Sequence, residues 1–213
     1  MKAMILAAGE GRRLAPLTDR TPKPLLPVQG QPLIAWQLSA LSKAGISQCV
    51  INTYHLGQQI IDYVGDGSAW NMQVQFSEEV KLLETGGGLV NALPLLGDEP
   101  FLVVNGDIWT DFDFTTLRPP AAAPVHLVLT PKPSWREAGD FEYADGRVTG
   151  RGDTYVYCGI SVVQPAALAG RDPVPFSFRD VLFALIESRQ LTAQTFDGTW
   201  YDIGTPEQYA DLV

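Results

Sequence analysis

The segment Ala3-Met-Ile-Leu6-Ala-Ala-Gly9-Glu-Gly11-Arg12-Arg13-Leu14 decides the architecture. Its first four residues are apolar and suit a short buried strand. Two small side chains, two glycines and two arginines follow at once. Glycines at a strand's carboxyl end let backbone N–H groups approach phosphate oxygens closely, and the arginines add charge. Ala7 and Ala8 leave room for a flat ring. The dinucleotide fingerprint asks for a third glycine where Leu14 stands, and the Gly-Lys-Ser/Thr of the ATPase loop is missing, so neither standard phosphate motif applies. A tight turn with solvated arginines is the bland alternative.

Working outward, Pro32 to Ala44 reads as a helix, with proline in its first turn, an apolar stripe of Leu33, Trp36, Leu38 and Leu41, and Gly45 as its stop. Strands are expected at Cys49–Asn52, Val74–Phe76 and Phe101–Val104, with helices at Gly57–Val64 and Thr85–Leu93 between them. That alternation belongs to a parallel sheet with crossover helices. After Asp113 the rhythm changes. Val125–Thr130 is one strand among prolines; Phe141–Tyr143, Arg147–Thr149 and Tyr155–Val163 read as antiparallel strands. A helix (Phe178–Ser188), strands (Leu191–Phe196, Thr199–Asp202) and a helix (Pro206–Leu212) follow. The expectation is one α/β domain over residues 1–213: a Rossmann-like, mostly parallel sheet with helices on both faces, and a small antiparallel, lid-like insertion near 134–160.

Composition narrows the function. With 46% hydrophobic residues, the 213-residue chain can build a real core. Its 24 acidic and 15 basic side chains give a net charge of −9, which argues against nucleic acid or a membrane surface as partner. Residues 1–24 nevertheless carry a local +3, from Lys2, Arg12, Arg13, Arg20 and Lys23 against Glu10 and Asp19. A basic segment on an acidic chain suggests a small anionic ligand bound at one place. Cys49 and Cys158 form no CxxC pair and read as buried thiols of a reducing compartment. No apolar run approaches a membrane span, and the start lacks signal-peptide features, so a cytoplasmic protein is expected.

Further along, prolines at 22, 24 and 27 stiffen the backbone around Lys23, making it a positioned point charge. The apolar strand Phe101-Leu-Val-Val ends in Asn105-Gly106-Asp107, which places a carboxylate where α/β ligands sit. Thr199-Trp-Tyr-Asp202 supplies a second strand-end aspartate. Mg²⁺ takes one or two protein carboxylates and completes its octahedron with water and phosphate oxygens, so the pair suits that ion. Leu83-Glu84-Thr85-Gly86-Gly87-Gly88 would open a helix on glycines and admit a ligand to its N-terminal amides. His55 and His126 stand alone and read as structural. Asp111-Phe-Asp113 mimics a glycosyltransferase metal motif, a spacing frequent by chance.

Leu6-Ala-Ala-Gly-x-Gly-x-Arg13 together with Pro22-Lys23-Pro24 resembles the sugar-1-phosphate nucleotidylyltransferases, and the likeness runs from Lys2 to about Tyr209. The resemblance implies that Ala8, Gly9, Gly11, Arg12, Arg13 and Lys23 bind the nucleotide, with Glu84 and Thr85 on the base side. It implies Asn105, Asp140 and Gly159 for the sugar, and Asp107 and Asp202 for Mg²⁺. Arg13, Lys23 and Asp107 would be the catalytic residues. Many relatives carry a Glu-Lys-Pro ahead of the strand leading to Gly159. Here Asp145–Thr154 has no lysine, and Arg151 is the candidate substitute. Length, Glu84–Gly88, Leu95–Phe101 and Val104–Asp111 resemble the short bacterial members that transfer uridylyl from UTP to N-acetylmuramic acid 1-phosphate in cell-wall recycling.

The implied reaction needs no base, because a sugar 1-phosphate, with a second pKa of about 6, is already anionic at neutral pH. Its oxygen attacks the α-phosphorus of a nucleoside triphosphate and expels pyrophosphate, with positioning and charge neutralisation as the main work. Two small-molecule substrates are therefore expected, and no protein partner is implied. Alternatives are a mannose- or glucose-1-phosphate nucleotidylyltransferase, a glycosyltransferase using Asp111 and Asp113, and a non-catalytic nucleotide sensor.

Overall fold

The structure, a computed structural model, describes residues 1–212. In chain order the strands are β1 (Ala3–Leu6), β2 (Pro27–Val28), β3 (Gln31–Pro32), β4 (Gln48–Thr53), β5 (Gln73–Glu78), β6 (Phe101–Asn105), β7 (Ile108–Thr110), β8 (Val125–Pro131), β9 (Phe141–Ala144), β10 (Arg147–Arg151), β11 (Tyr155–Val163), β12 (Leu191–Thr195) and β13 (Trp200–Asp202). The helices are α1 (Leu33–Lys43), α2 (Gly57–Val64), α3 (Glu84–Leu96), α4 (Phe178–Glu187) and α5 (Pro206–Ala210).

Nine strands form one sheet in the order β5-β4-β1-β6-β11-β8-β12-β10-β9. The pairings make seven of them run one way and only β10 and β11 the other, so the mostly parallel expectation holds. Helices cover both faces, and β1 displays why. Ala3 and Ile5 join a core with α1 and α2 residues such as Leu38 and Ile60, while Met4 joins a core with Leu89 of α3 and Leu182 of α4. A strand buried on both sides has to be apolar, as β1 is throughout and β6 is over Phe101–Val104.

The chain steps from β1 outward through β4 to β5, then returns by α3 to β6 on the other flank of β1. Strand order therefore reverses between β1 and β6, and ligands of open α/β sheets sit in the crevice at such a point. Strands β9 and β10 extend the far edge of the sheet, and β9 also pairs with β11 at Tyr155–Phe141. Residues 132–140, just before β9, form a strap that meets the two-stranded ribbon of β7 and β13. A third core of Leu14, Leu26, Val28, Leu33, Ile203 and Leu212 joins the first loop to the chain after β13.

Candidate active site

At the carboxyl end of β1, Leu6 pairs with Asn52 of β4 on one side and Asn105 of β6 on the other. Above these three residues lies a cavity of about 390 Å³. Leu6, Ala7 and Ala8 line it together with Gly9 and Gly11 of the glycine loop. Lys23 and Pro24 border it, as do Asn105, Gly106 and Asp107, with Glu84 and Thr85 also in the lining. The backbone turns sharply after β6: the Gly106 N–H donates to the Leu6 carbonyl at 2.9 Å, and a Cβ at position 106 would collide with that same oxygen. Glycine there lets Asp107 follow immediately at the cavity rim. Its Oδ2 accepts from Lys23 Nζ at 2.9 Å, and the lysine side chain is only 12% exposed.

Below the rim, one buried polar chain ties three loops together. Asn52 Oδ1 accepts from the Ala7 N–H at 2.8 Å, and Asn52 Nδ2 donates to Glu79 Oε1 at 2.7 Å. Glu79 Oε2 accepts from the Leu83 N–H at 2.8 Å. Burial pushes the Glu79 carboxyl above the usual range, and the bonds from Leu83 and Asn52 hold it down. Neither Asn52 nor Glu79 was expected from the sequence, where an acidic residue carries no sign that it is buried.

Asp202, at the end of β13, shares the electrostatic neighbourhood of Asp107. Burial raises its carboxyl above the ordinary value and the Asp107 charge adds to that, while Lys23, Arg136 and Arg13 oppose the shift. Arg136 donates from Nη1 to Asp202 Oδ2 at 3.1 Å. Arg13 lies by Gly204, just beyond. Two carboxylates that repel one another and are each capped by a cation fit a hard divalent ion with oxygen preference. Among the described residues no cluster of three or more His, Cys, Asp or Glu side chains could hold a metal, so these two carboxylates would be its protein share.

Several expected site residues lie outside the cavity lining or are engaged locally. The Arg12 side chain is 84% exposed, pairs with Glu10 at 2.6 Å and stands outside the cavity lining. The glycines of α3 do not offer free amides to a ligand. Gly86 and Gly87 donate theirs to the Phe176 carbonyl, and a Cβ on either would collide with the Phe176 ring or the Val174 carbonyl. They are seats for the segment before α4. Arg151, the candidate for the missing lysine, has its guanidinium over the Phe183 ring of α4 at 4.8 Å.

Asp111 and Asp113 are both engaged locally. Asp111 accepts from the Thr199 N–H at 2.8 Å, and Asp113 caps a short turn by accepting from Thr115 N–H at 2.9 Å. That removes the support for the glycosyltransferase reading. Asp140 accepts from the Tyr157 N–H at 3.0 Å and faces Arg136 at 3.7 Å, while Gly159 sits at an irregularity of β11 against the Asn105 side chain. These two stand beside the cavity rather than in its lining. His55 binds the Thr18 carbonyl at 2.8 Å, and buried His126 contacts Thr192 and Gln194, which gives both the structural roles expected of them.

A crevice at the strand-order reversal, a glycine loop over it, and a lysine facing paired aspartates define a phosphate-handling transferase site. Residues 2–138 match the nucleotidyl transferase family, and the chain belongs to it. It is 43% identical to the N-acetylmuramate alpha-1-phosphate uridylyltransferase of Neisseria meningitidis serogroup B, over 96% of this chain and 94% of that one. The protein of the same name from Caulobacter vibrioides is 32% identical, over 96% and 92%. Among solved structures, HddC from Yersinia pseudotuberculosis superposes with a TM-score of 0.82 at 22% identity, covering 99% of this chain and 97% of its own, a likeness of fold.

Proposed function

We propose that the chain transfers a uridylyl group from UTP to N-acetylmuramic acid 1-phosphate, giving UDP-N-acetylmuramic acid and pyrophosphate. The observation that carries the chemistry is the 2.9 Å approach of Lys23 to Asp107 at the rim of the glycine-loop cavity, with Asp202 close by. The choice of substrates rests on the two relatives of that activity, each matched over nearly its whole length.

In this reading the amides from Ala8 to Gly11 receive the triphosphate, and Glu84 and Thr85 face the base. Lys23 holds the charge that grows on the α-phosphate as the sugar phosphate oxygen forms its new bond to phosphorus and the bond to pyrophosphate breaks. Arg13 stands on the Asp202 side as a second positive charge. Asn105, Asp140 and Gly159 shape the sugar side. Mg²⁺, held by Asp107 and Asp202, supplies neutralisation of phosphate charge when bound. The chain need provide no base, since the nucleophile arrives ionised.

We place the reaction in the cytoplasm. No helix of the described residues is long and apolar enough to cross a membrane. Cys49 and Cys158 are both free and buried, and burial pushes the Cys49 thiol up to about 12 and raises Cys158 as well. We also read residues 1–213 as one domain; the segment expected as a lid near 134–160 instead joins the main sheet as β9, β10 and the start of β11, which leaves the 132–140 strap on the sugar side.

The test is pyrophosphate release with Mg²⁺ across four nucleoside triphosphates and the 1-phosphates of N-acetylmuramic acid, glucose and mannose. Turnover restricted to UTP with N-acetylmuramic acid 1-phosphate is expected. Turnover with another pair would overturn the substrate assignment and leave the chemistry. Absence of pyrophosphate in every combination would overturn both.

A further inference from the structure

The strap at residues 132–140 carries a cation that the sequence did not single out. Lys132, at its start, is paired with Asp153. The Trp135 indole then stacks on Trp200 at 5.6 Å and 17°, and on Tyr201 at 6.2 Å and 11°. That stack fixes the backbone from which Arg136 extends. The guanidinium reaches two carboxylates at once, Asp202 Oδ2 at 3.1 Å from Nη1 and Asp140 Oδ2 at 3.7 Å from Nη2. Asp140 is pinned in turn by the Tyr157 N–H.

Arg136 thus stands between the carboxylate pair at the cavity rim and the aspartate expected to face sugar hydroxyls. A phosphorylated sugar has the matching shape of charge, a dianion at one end and hydroxyl groups at the other. A planar guanidinium can grip phosphate with two parallel hydrogen bonds, which a lysine ammonium cannot. Of the other cations around the strap, Lys132 is paired with Asp153 and Arg151 lies over the Phe183 ring, while Lys23 and Arg13 stand on the nucleotide side in the reading above.

We propose that Arg136 is the residue that takes the phosphate of the incoming sugar 1-phosphate, giving up its hydrogen bond to Asp202 as it does so. The inference rests on the transferase reading above and assigns its acceptor-phosphate contact. Until substrate arrives, the contact with Asp202 keeps a partly buried carboxylate compensated and holds the guanidinium beside the carboxylate pair.

The test compares wild type with Arg136→Gln and Arg136→Lys, both checked for an unchanged melting curve. Steady-state KM is measured for each substrate separately. Calorimetric affinity for N-acetylmuramic acid 1-phosphate is measured with a non-hydrolysable UTP analogue and Mg²⁺ present. Loss of a charge-assisted contact predicts that Arg136→Gln raises the sugar-phosphate KM and Kd about tenfold or more, with the UTP KM within about twofold. Arg136→Lys should recover part of the loss, because it keeps the charge without the fork. An unchanged sugar-phosphate KM would overturn the inference. So would an equal rise in both KM values, since Arg136 would then merely support Asp202. A wild type inactive with every sugar 1-phosphate would overturn the transferase reading itself, and this contact with it.

Discussion

Lys23 Nζ and Asp107 Oδ2, 84 positions apart in sequence, meet at 2.9 Å where the proline-braced turn faces the end of β6. The pair joins the two halves of the reaction site. The lysine belongs to the basic N-terminal segment, and the aspartate to the carboxylates that would hold a divalent ion. Each also keeps the other's charge compensated at a partly buried position.

The first prediction concerns this pair. Lys23→Ala and Asp107→Asn should each lower kcat by about 10²–10³, the usual effect of removing one positioned charge from a developing anion. The thermal midpoint should fall as well, because each substitution leaves the partner charge at a partly buried position uncompensated. Pyrophosphate release and a melting curve on the same samples check both halves. A Lys23→Ala variant with near wild-type turnover would exclude the lysine from the chemistry.

The α3 glycines give a prediction with a decisive sign. Helix propensity alone says that Gly87→Ala stabilises the chain by about 1 kcal/mol. Here the added methyl runs into the Val174 carbonyl, so overpacking should destabilise by about 1–3 kcal/mol instead. Urea unfolding of Gly87→Ala separates the two, and a gain in stability would refute the packing role.

Asn52 sets up a pH-dependent effect through Glu79. The folded-state pKa of Glu79 lies above its ordinary 4.5, so the protonated acid favours the folded chain. Its contribution to stability therefore falls as pH rises from about 4.5 through the folded value. Asn52→Ala removes a hydrogen bond that now restrains this shift and leaves the Ala7 N–H unpaired. The variant should lose about 1–3 kcal/mol, and lose more at pH 8 than at pH 5. Urea midpoints at the two pH values measure it, and an equal loss at both would detach Glu79 from the effect.

Much of the fold was legible because its elements announce themselves locally. Gly57–Val64 and Tyr155–Val163 occur within the expected bounds, and Ala3–Leu6 is the expected first strand. Strands β2, β3 and β7, of two or three residues each, have too few positions for any period to show. In the site, Lys23 and Asp107 were readable because proline bracing and a strand-end turn are sequence-local signals. Arg136 was not: its role depends on a strap held by Trp200 and Tyr201, more than sixty positions away. Distance in sequence also misled the reading of Gly86 and Gly87. A glycine run at a helix start looks like an anion seat, until Val174 and Phe176 arrive from a remote segment to fill it.

The stacking of Trp135 on Trp200 and Tyr201 also gives the molecule an optical handle. The Trp135 indole is 41% exposed and adjoins the arginine that contacts Asp202, so its surroundings are coupled to the strap's position. When the strap shifts, the ring changes both its stacking partner geometry and its contact with water. Emission from Trp135, isolated by comparison with a Trp135→Phe variant, would therefore report any displacement of the strap from the ribbon.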